Sequence, residues 1–263
     1  MDFTEGKCLI QSLAKGLSIL ECFISDLDEY GITELSEKTS LPESTVQRII
    51  NTLEFKGYLF QNPLSKKYRL SLKLLNVCSK SKNMNLWIER SKKHMVLLNE
   101  RCGETVNLAI RDDNNLVYLD KVDSKHLLRP NFVVGEHYPL YCTAIGRCLL
   151  SDFAEEKLKC LFPEGLQKMT PSTKDKLEDV IKDLAFIKEK GYTIDDEEFQ
   201  LGLLCIGVPI KAFGGRVVAA LSMSMPKVRV NKGGEKVLIA WTIEAAEEIS
   251  KEYQQLFENS GRR

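Results

Sequence analysis

The stretch ITELSEKTSLPESTVQRIINTLEFKGYLFQNPLSKKYRL, residues Ile32 to Leu70, decides the fold of the N-terminal part of the chain. Ile32 and Leu35 stand three apart, and Val46, Ile49, Ile50 and Leu53 recur at helical spacing, so each run carries one apolar and one polar face. Leu41-Pro42 separates the two runs. The residue before a proline is pushed out of the α region, while Pro42 itself suits the first turn of the next helix. Gly57 is placed to end that second helix. The apolar-rich runs Tyr58-Leu59-Phe60 and Tyr68-Arg69-Leu70 then flank residues 61–67 as a basic hairpin. Two short helices, a tight turn and a hairpin predict a winged helix-turn-helix, an arrangement used chiefly to place a helix in the major groove of DNA.

On the outward face of the second helix the candidate base readers are Ser44, Thr45, Gln47, Arg48 and Asn51. Gln, Asn and Arg can pair bidentately with base edges. In the hairpin, Lys66, Lys67 and Arg69 are the candidate phosphate contacts. They belong to a run from Phe60 to Asn83 that also holds Lys73, Lys80 and Lys82 and contains no Asp or Glu. Upstream the charge is offset by Asp26, Asp28, Glu29, Glu34, Glu37, Glu43 and Glu54, so any attraction for DNA is local. Leu13, Leu17, Leu20 and Phe23 predict a third helix over Ser12–Ser25 that completes a small core, and the DNA-binding domain is expected to span residues 8–71. Helix pairs with polar outer faces also occur in proteins that never touch DNA; here turn and wing coincide as well.

The chain has 263 residues, 43% of them hydrophobic, which suits two folded domains. Its formal net charge is zero, so nucleic-acid contact must come from a patch. The start MDFTEGKCLIQ has neither the basic opening nor the long apolar run of a secretory signal. No apolar stretch approaches the roughly 20 residues needed to span a bilayer, and a cytoplasmic protein without membrane partners is expected. The eight cysteines are scattered, with no C-x-x-C and no paired histidine motif, so neither a disulfide framework nor a metal site is expected. No cofactor is expected either.

Beyond the wing, Leu72–Arg101 is helical in pattern, with a break near Ser79–Asn85, and is read as a linker helix (residues 72–84) entering a second domain (residues 85–258). Thr105–Ile110 and Leu116–Val122 are strand-like about an Asp-Asp-Asn-Asn turn. An irregular strand is expected at Leu127–Val134, helices at Leu149–Leu161 and Ser172–Lys190, and strands at Leu204–Ala212 and Arg216–Met225 about Gly214-Gly215. A closing helix is expected at Glu235–Phe257. Strands at both ends with helices between predict an α+β domain around a mostly antiparallel sheet.

Strand alternation puts Ser222 and Ser224 on one face and Leu221, Met223 and Met225 on the other. Cys205 and Gly207 alternate likewise on a neighbouring strand, and Asp195 lies just upstream in what reads as an acidic loop. Thr143, Ala144 and Ile145 fall where a helix begins, so their backbone N–H groups can face an anion. Together these groups predict a pocket for a small carboxylate. Each also has a plainer reading: a strand Ser bonded to backbone, a packed Cys, an Asp in a solvated charge run.

Several motifs in order resemble the IclR-type transcriptional regulators: Leu-Pro-Glu-Ser-Thr-Val-Gln-Arg (41–48), Gly-Glu-Thr-Val-Asn-Leu-Ala (103–109), Tyr-Leu-Asp-Lys-Val (118–122), Pro-Leu-Tyr-Cys-Thr-Ala-Ile-Gly-Arg (139–147), Asp-Asp-Glu-Glu (195–198) and Val-Ala-Ala-Leu-Ser-Met-Ser (218–224). The resemblance implies a winged helix, a helical linker and a GAF-like effector-binding domain. It also implies a homodimer or homotetramer on double-stranded DNA, and a small organic acid or aromatic metabolite as effector. In some members the positions matching Asp195, Cys205, Ser222, Ser224 and the backbone of Ala144 and Ile145 bind a small oxo acid. Three residues depart from the family pattern: Tyr141 where His is common, Arg147 where Lys is usual, and Met225 where Gly often follows the second serine. All three are placed in or beside the pocket.

The expected function is a ligand-responsive regulator, a repressor, whose dimer sets two recognition helices on a pseudo-palindromic operator. The rival readings are an enzyme that turns over a small acid and carries an accessory helix-turn-helix, and a module whose winged helix binds protein. Against the first stands the want of a nucleophile or acid–base motif in residues 103–263, with His94, His126 and His137 in no recognisable pattern. Against the second stand the polar residues of Pro42–Asn51.

Overall fold

The computed structural model describes residues 10–24, 29–74, 82–230 and 234–257. The chain divides into two compact units, residues 1–82 and 83–263. In the first, helices α1 (Gln11–Glu21), α2 (Ile32–Thr39) and α3 (Glu43–Phe55) precede strands β1 (Leu59–Gln61) and β2 (Tyr68–Leu70). Ile19, Phe23, Tyr30, Leu35, Val46, Ile50, Leu59 and Tyr68 form its core, so every element supplies at least one apolar anchor except the turns. The Gly31 amide at the head of α2 donates to Glu34 Oε2 at 2.7 Å, satisfying one of the helix's orphan donors. Ser40, in the left-handed region at φ 55°, ends α2, and Ser36 Oγ donates to the Leu41 carbonyl at 2.6 Å, which fixes the turn. Pro42 is the residue just before α3 and not a member of its first turn; its carbonyl accepts the Thr45 and Val46 amides. The antiparallel wing pairs Leu59 with Leu70, and Tyr30 joins its edge through paired hydrogen bonds with Tyr68.

Of the expected linker helix, residues 75–81 lie outside the described residues, as do Lys80, Cys8 and Cys78. Helix α4 (Lys82–Cys102) opens the second unit. Strands β3 (Thr105–Asp112), β4 (Asn115–Val122) and β5 (His137–Pro139) follow, then helices α5 (Ala144–Leu150), α6 (Glu155–Leu161) and α7 (Leu177–Lys190). Strands β6 (Thr193–Asp196), β7 (Leu203–Lys211) and β8 (Val217–Pro226) and helix α8 (Glu235–Phe257) complete it. The six strands form one antiparallel sheet in the order β5-β4-β3-β8-β7-β6. On one face α4 and α8 pack Trp87, Met95, Leu98, Ala246 and Ile249 against Val106, Leu108, Ile206, Leu221 and Met223. On the other, α5, α6 and α7 cover Ala109, Leu116, Tyr118, Cys205 and Ala220. Among the described residues no helix is long and apolar enough to cross a membrane.

Several boundaries differ from expectation for local reasons. Residues 127–134 form no strand, and the edge strand is β5 instead, with Pro139 at its end where no ladder donor is needed. The helix expected at Leu149–Leu161 is two helices, and Ser151 Oγ donates back to the Cys148 carbonyl at 2.7 Å where the first one stops. Residues 172–176 are not helical: Thr170 and Thr173 hydroxyls donate to the Glu197 and Glu198 carbonyls and hold that segment against the loop after β6.

Candidate functional site

On α3 the predicted readers divide. Ser44, Arg48 and Asn51 are exposed, and at intervals of four and three they line one outward stripe that ends in Phe55, which is 87% exposed. Sequence reading missed Phe55; its helical interval from Asn51 was the available signal. Thr45 and Gln47 are half-buried at the flanks of the stripe. Gln47 Nε2 donates to Asn51 Oδ1 at 2.7 Å, so the two amides form a preset pair, while Thr45 and Arg48 line a groove of about 750 Å³ toward Leu13 and Leu17 of α1.

In the wing, Lys66 is exposed at the tip with φ 58°. Arg69 stacks over the Phe60 ring at 5.1 Å. Lys67 is already committed: its Nζ lies 2.7 Å from Glu34 Oε1, tying the wing to α2. Glu29 accepts from Asn62 Nδ2 and Ser65 Oγ, both at 2.8 Å, and these bonds hold its carboxyl below the usual range. The wing is thus braced by two carboxylates, and its net basic character is smaller than its lysine count suggests.

In the second unit the predicted pocket residues come together on the sheet face under α5. Two cross-strand rows run over four strands. One is Asp195, Cys205, Ser224 and Thr105; the other is Thr193, Gly207, Ser222 and Asn107. Adjacent strands lie about 4.8 Å apart, so each row spans about 14 Å. All eight positions are buried. Asp195 is on β6 and not in a loop. Asn107, which sequence reading missed, joins the serines: its Nδ2 donates to Ser222 Oγ and Ser224 Oγ, each at 3.3 Å.

Gly207 admits α5 to this floor. A Cβ there would come within 2.6 Å of the Ala144 carbonyl group and 3.0 Å of the Ile145 nitrogen, so the first turn of α5 rests directly on β7. Thr143 caps that helix, accepting the Gly146 amide at 3.2 Å while donating to the Pro139 carbonyl at 2.8 Å. Aromatic rings wall the same layer. Tyr118 packs 5.1 Å from Phe132 and 5.0 Å from Tyr138, and Phe199 lies 6.0 Å from Tyr138. They come from three separate segments, which is why no sequence window displays them.

Asp195 is 1% exposed, and burial raises its carboxyl to about 7 despite the field of Arg147 and the amides of Glu198 and Phe199, which donate to Oδ1. Its other oxygen, Oδ2, has no partner, nor has Asn107 Oδ1. Two buried oxygens without partners on one floor are what a polar ligand would complete. Burial also pushes the Cys205 thiol well up, with Asp195 adding to the effect, so it is not an activated thiolate.

The three departures from the family pattern part company. Arg147 is fully buried and bonds Asp183 and Glu198, each at 2.7 Å, and the Ile194 carbonyl at 2.9 Å, so it clamps α5 to α7 and β6. Tyr141 donates to the Gln167 carbonyl at 2.6 Å. Met225 is no pocket residue: it belongs to the opposite face, in the core with Trp87 and Leu221, as strand alternation requires. Among the described residues no group of His, Cys, Asp and Glu is arranged to hold a metal ion.

The family model described as bacterial transcriptional regulator IclR C-terminal matches residues 79–251, and the IclR helix-turn-helix domain matches residues 12–63. The DNA-binding transcriptional repressor YiaJ of Escherichia coli is 32% identical over 246 residues, covering 92% of this chain and 87% of that protein. The Thermotoga maritima IclR crystal structure superposes with a TM-score of 0.76 at 28% identity, covering 94% of this chain and 100% of the other. An IclR homologue from Microbacterium hydrocarbonoxydans complexed with 4-hydroxybenzoate gives a TM-score of 0.77, covering 93% and 99%. At 22% identity that likeness concerns the fold alone.

Proposed function

The chain belongs to the IclR family of DNA-binding transcriptional regulators, which are not enzymes, and from that premise we propose that it is a repressor released or reshaped by a small organic acid. The observation that carries the ligand reading is the buried polar floor of Asp195, Cys205, Ser222, Ser224 and Asn107 beneath the first turn of α5, two of whose oxygens, Asp195 Oδ2 and Asn107 Oδ1, have no partner. The backbone N–H groups of Ala144 and Ile145 would face the carboxylate and the aromatic wall its hydrocarbon part. Aromatic acids belong among the candidates because the rings of Tyr118, Phe132, Tyr138 and Phe199 wall the same layer.

On the DNA side, Arg48, Asn51, Gln47, Ser44 and Thr45 read base edges, and Lys66, Lys67 and Arg69 contact phosphates. The homodimer, or a homotetramer built from it, sets two α3 helices on a pseudo-palindromic operator in the cytoplasm. Ligand changes operator affinity only by binding its two conformations unequally, which is typically worth about 1–3 kcal/mol. The test is a thermal-shift screen of aliphatic and aromatic acids, followed by gel-shift titration on the chain's own promoter DNA with and without each hit. A hit that stabilises the protein and changes DNA affinity is expected; stabilisation that Ser222→Ala/Ser224→Ala leaves untouched would move the pocket elsewhere.

A further inference from the structure

Asp195 stands at one end of a polar row of the floor, paired across β6 and β7 with Cys205. Its Oδ1 is occupied by the Glu198 amide at 2.7 Å and the Phe199 amide at 3.4 Å, whereas the buried Oδ2 has no partner. The charges of this layer balance without it. Arg147 bonds Asp183 and Glu198, and Lys174 lies 2.5 Å from the same Asp183 oxygen and 3.6 Å from Glu198. Two cations therefore face two carboxylates, and an ionised Asp195 would be a third. The other groups that bear on it electrostatically are the Cys205 thiol on β7, the Cys142 thiol before α5 and the Tyr118 hydroxyl on β4, each of which burial keeps protonated.

We propose that Asp195 meets its ligand as the neutral carboxylic acid, donating the Oδ2 proton to the carboxylate of a small organic acid bound on the polar floor it shares with Asn107, Ser222 and Ser224. The inference rests on the organic-acid reading above and adds the state in which the pocket is competent. The ligand arrives as its anion and the protein supplies the proton, so the pair shares one proton and one negative charge. This matches a dry site better than two facing carboxylates do. Below about pH 7 the proton is already in place. Above it a proton must be taken up with the ligand, and affinity falls about tenfold for each pH unit. Ligands that present only a hydroxyl or ammonium donor show the opposite trend.

Two measurements on the full chain test this. With γ-13C-labelled aspartate, the carboxyl signal that Asp195→Asn removes is expected to titrate near neutrality in the ligand-free protein. Titration below about pH 5, in the ordinary carboxylate range, overturns the proposal. Calorimetric titration with pyruvate and with 4-hydroxybenzoate, in buffers of different ionisation heat, is expected to show about one proton taken up at pH 8, none at pH 6, and about tenfold weaker binding at pH 8. Asp195→Asn, which keeps an N–H donor, is expected to bind equally at both pH values. Equal wild-type affinity at pH 6 and pH 8 overturns the proposal. If neither acid binds at pH 6 while Asp195 is protonated, the organic-acid reading falls and the proposal with it; if the acids bind and Asp195 is ionised, only the proposal falls.

Discussion

Gly207 of β7 lies directly beneath the Ala144 peptide, so close that a single added carbon would sit 2.6 Å from its carbonyl carbon and oxygen. The approach lets a helix of seven residues present its first turn to the sheet without an intervening side chain. Gly207→Ala must lift α5, and a cost of about 1–3 kcal/mol is expected from the forced overlap. Urea unfolding measures it. A variant as stable as the wild type, with an unchanged ligand response, would show that α5 does not need the contact.

Arg147 braces the layer that carries the proposed ligand floor. Arg147→Ala leaves Glu198 and Asp183 without their buried partner, and a loss of about 3–5 kcal/mol is expected. Adding Glu198→Gln should recover part of it, because it removes one of the stranded charges. A double variant whose losses simply add would mean the two side chains are not coupled.

Asp195 also gives the fold a pH dependence whose sign is fixed. Its folded value of about 7 lies above the ordinary 3.8, so the folded state holds the proton more tightly than the unfolded chain. Its contribution to stability is therefore greatest below about pH 4, declines between about 4 and 7 by about 1.4 kcal/mol per unit at most, and then levels off. Asp195→Asn should abolish this component, so that unfolding free energy falls less, or rises more, from pH 5 to pH 8 than in the wild type. An equal or larger fall in the variant would count against it.

The two kinds of basic residue in the N-terminal unit should separate experimentally. Arg48→Ala is expected to weaken operator binding by tenfold or more with little change in melting temperature, because Arg48 is exposed on the outward stripe of α3. Lys66→Ala should weaken binding evenly across DNA sequences and lower the salt slope by about one. Lys67→Ala also releases the wing from Glu34, an exposed pair worth less than about 1 kcal/mol, so its effect should be reproduced in part by Glu34→Ala. If Glu34→Ala leaves DNA binding untouched while Lys67→Ala impairs it, Lys67 contacts phosphate directly.

How far the sequence carried the fold depended on the range of each signal. The winged helix was legible because its determinants are local: helical spacing at Val46, Ile49, Ile50 and Leu53, the Leu41-Pro42 break and Gly57 at φ 75°. The hydroxyl row was legible because strand alternation needs only Ser222 and Ser224. That same rule should have excluded Met225 from the pocket. Strand β6 was not legible: Thr-Ile-Asp-Asp is four residues long, ends in two acids and is defined only by pairing with β7. Asn107 and the Phe132–Tyr138–Phe199 wall were hidden because their neighbours are supplied by distant segments.

The strand order has a consequence for how the molecule comes into being. Thr105 and Ser224 are neighbours across β3 and β8, near opposite ends of the second unit's sequence. On the ribosome, at about 5–20 residues per second, the three helices and wing that end at Leu70 are complete well before β8 emerges. The polar floor cannot close until that strand is inserted between β3 and β7. Each newly made chain therefore completes its helix-turn-helix before its second unit, and a translation stall upstream of Val217 would leave the first without the second.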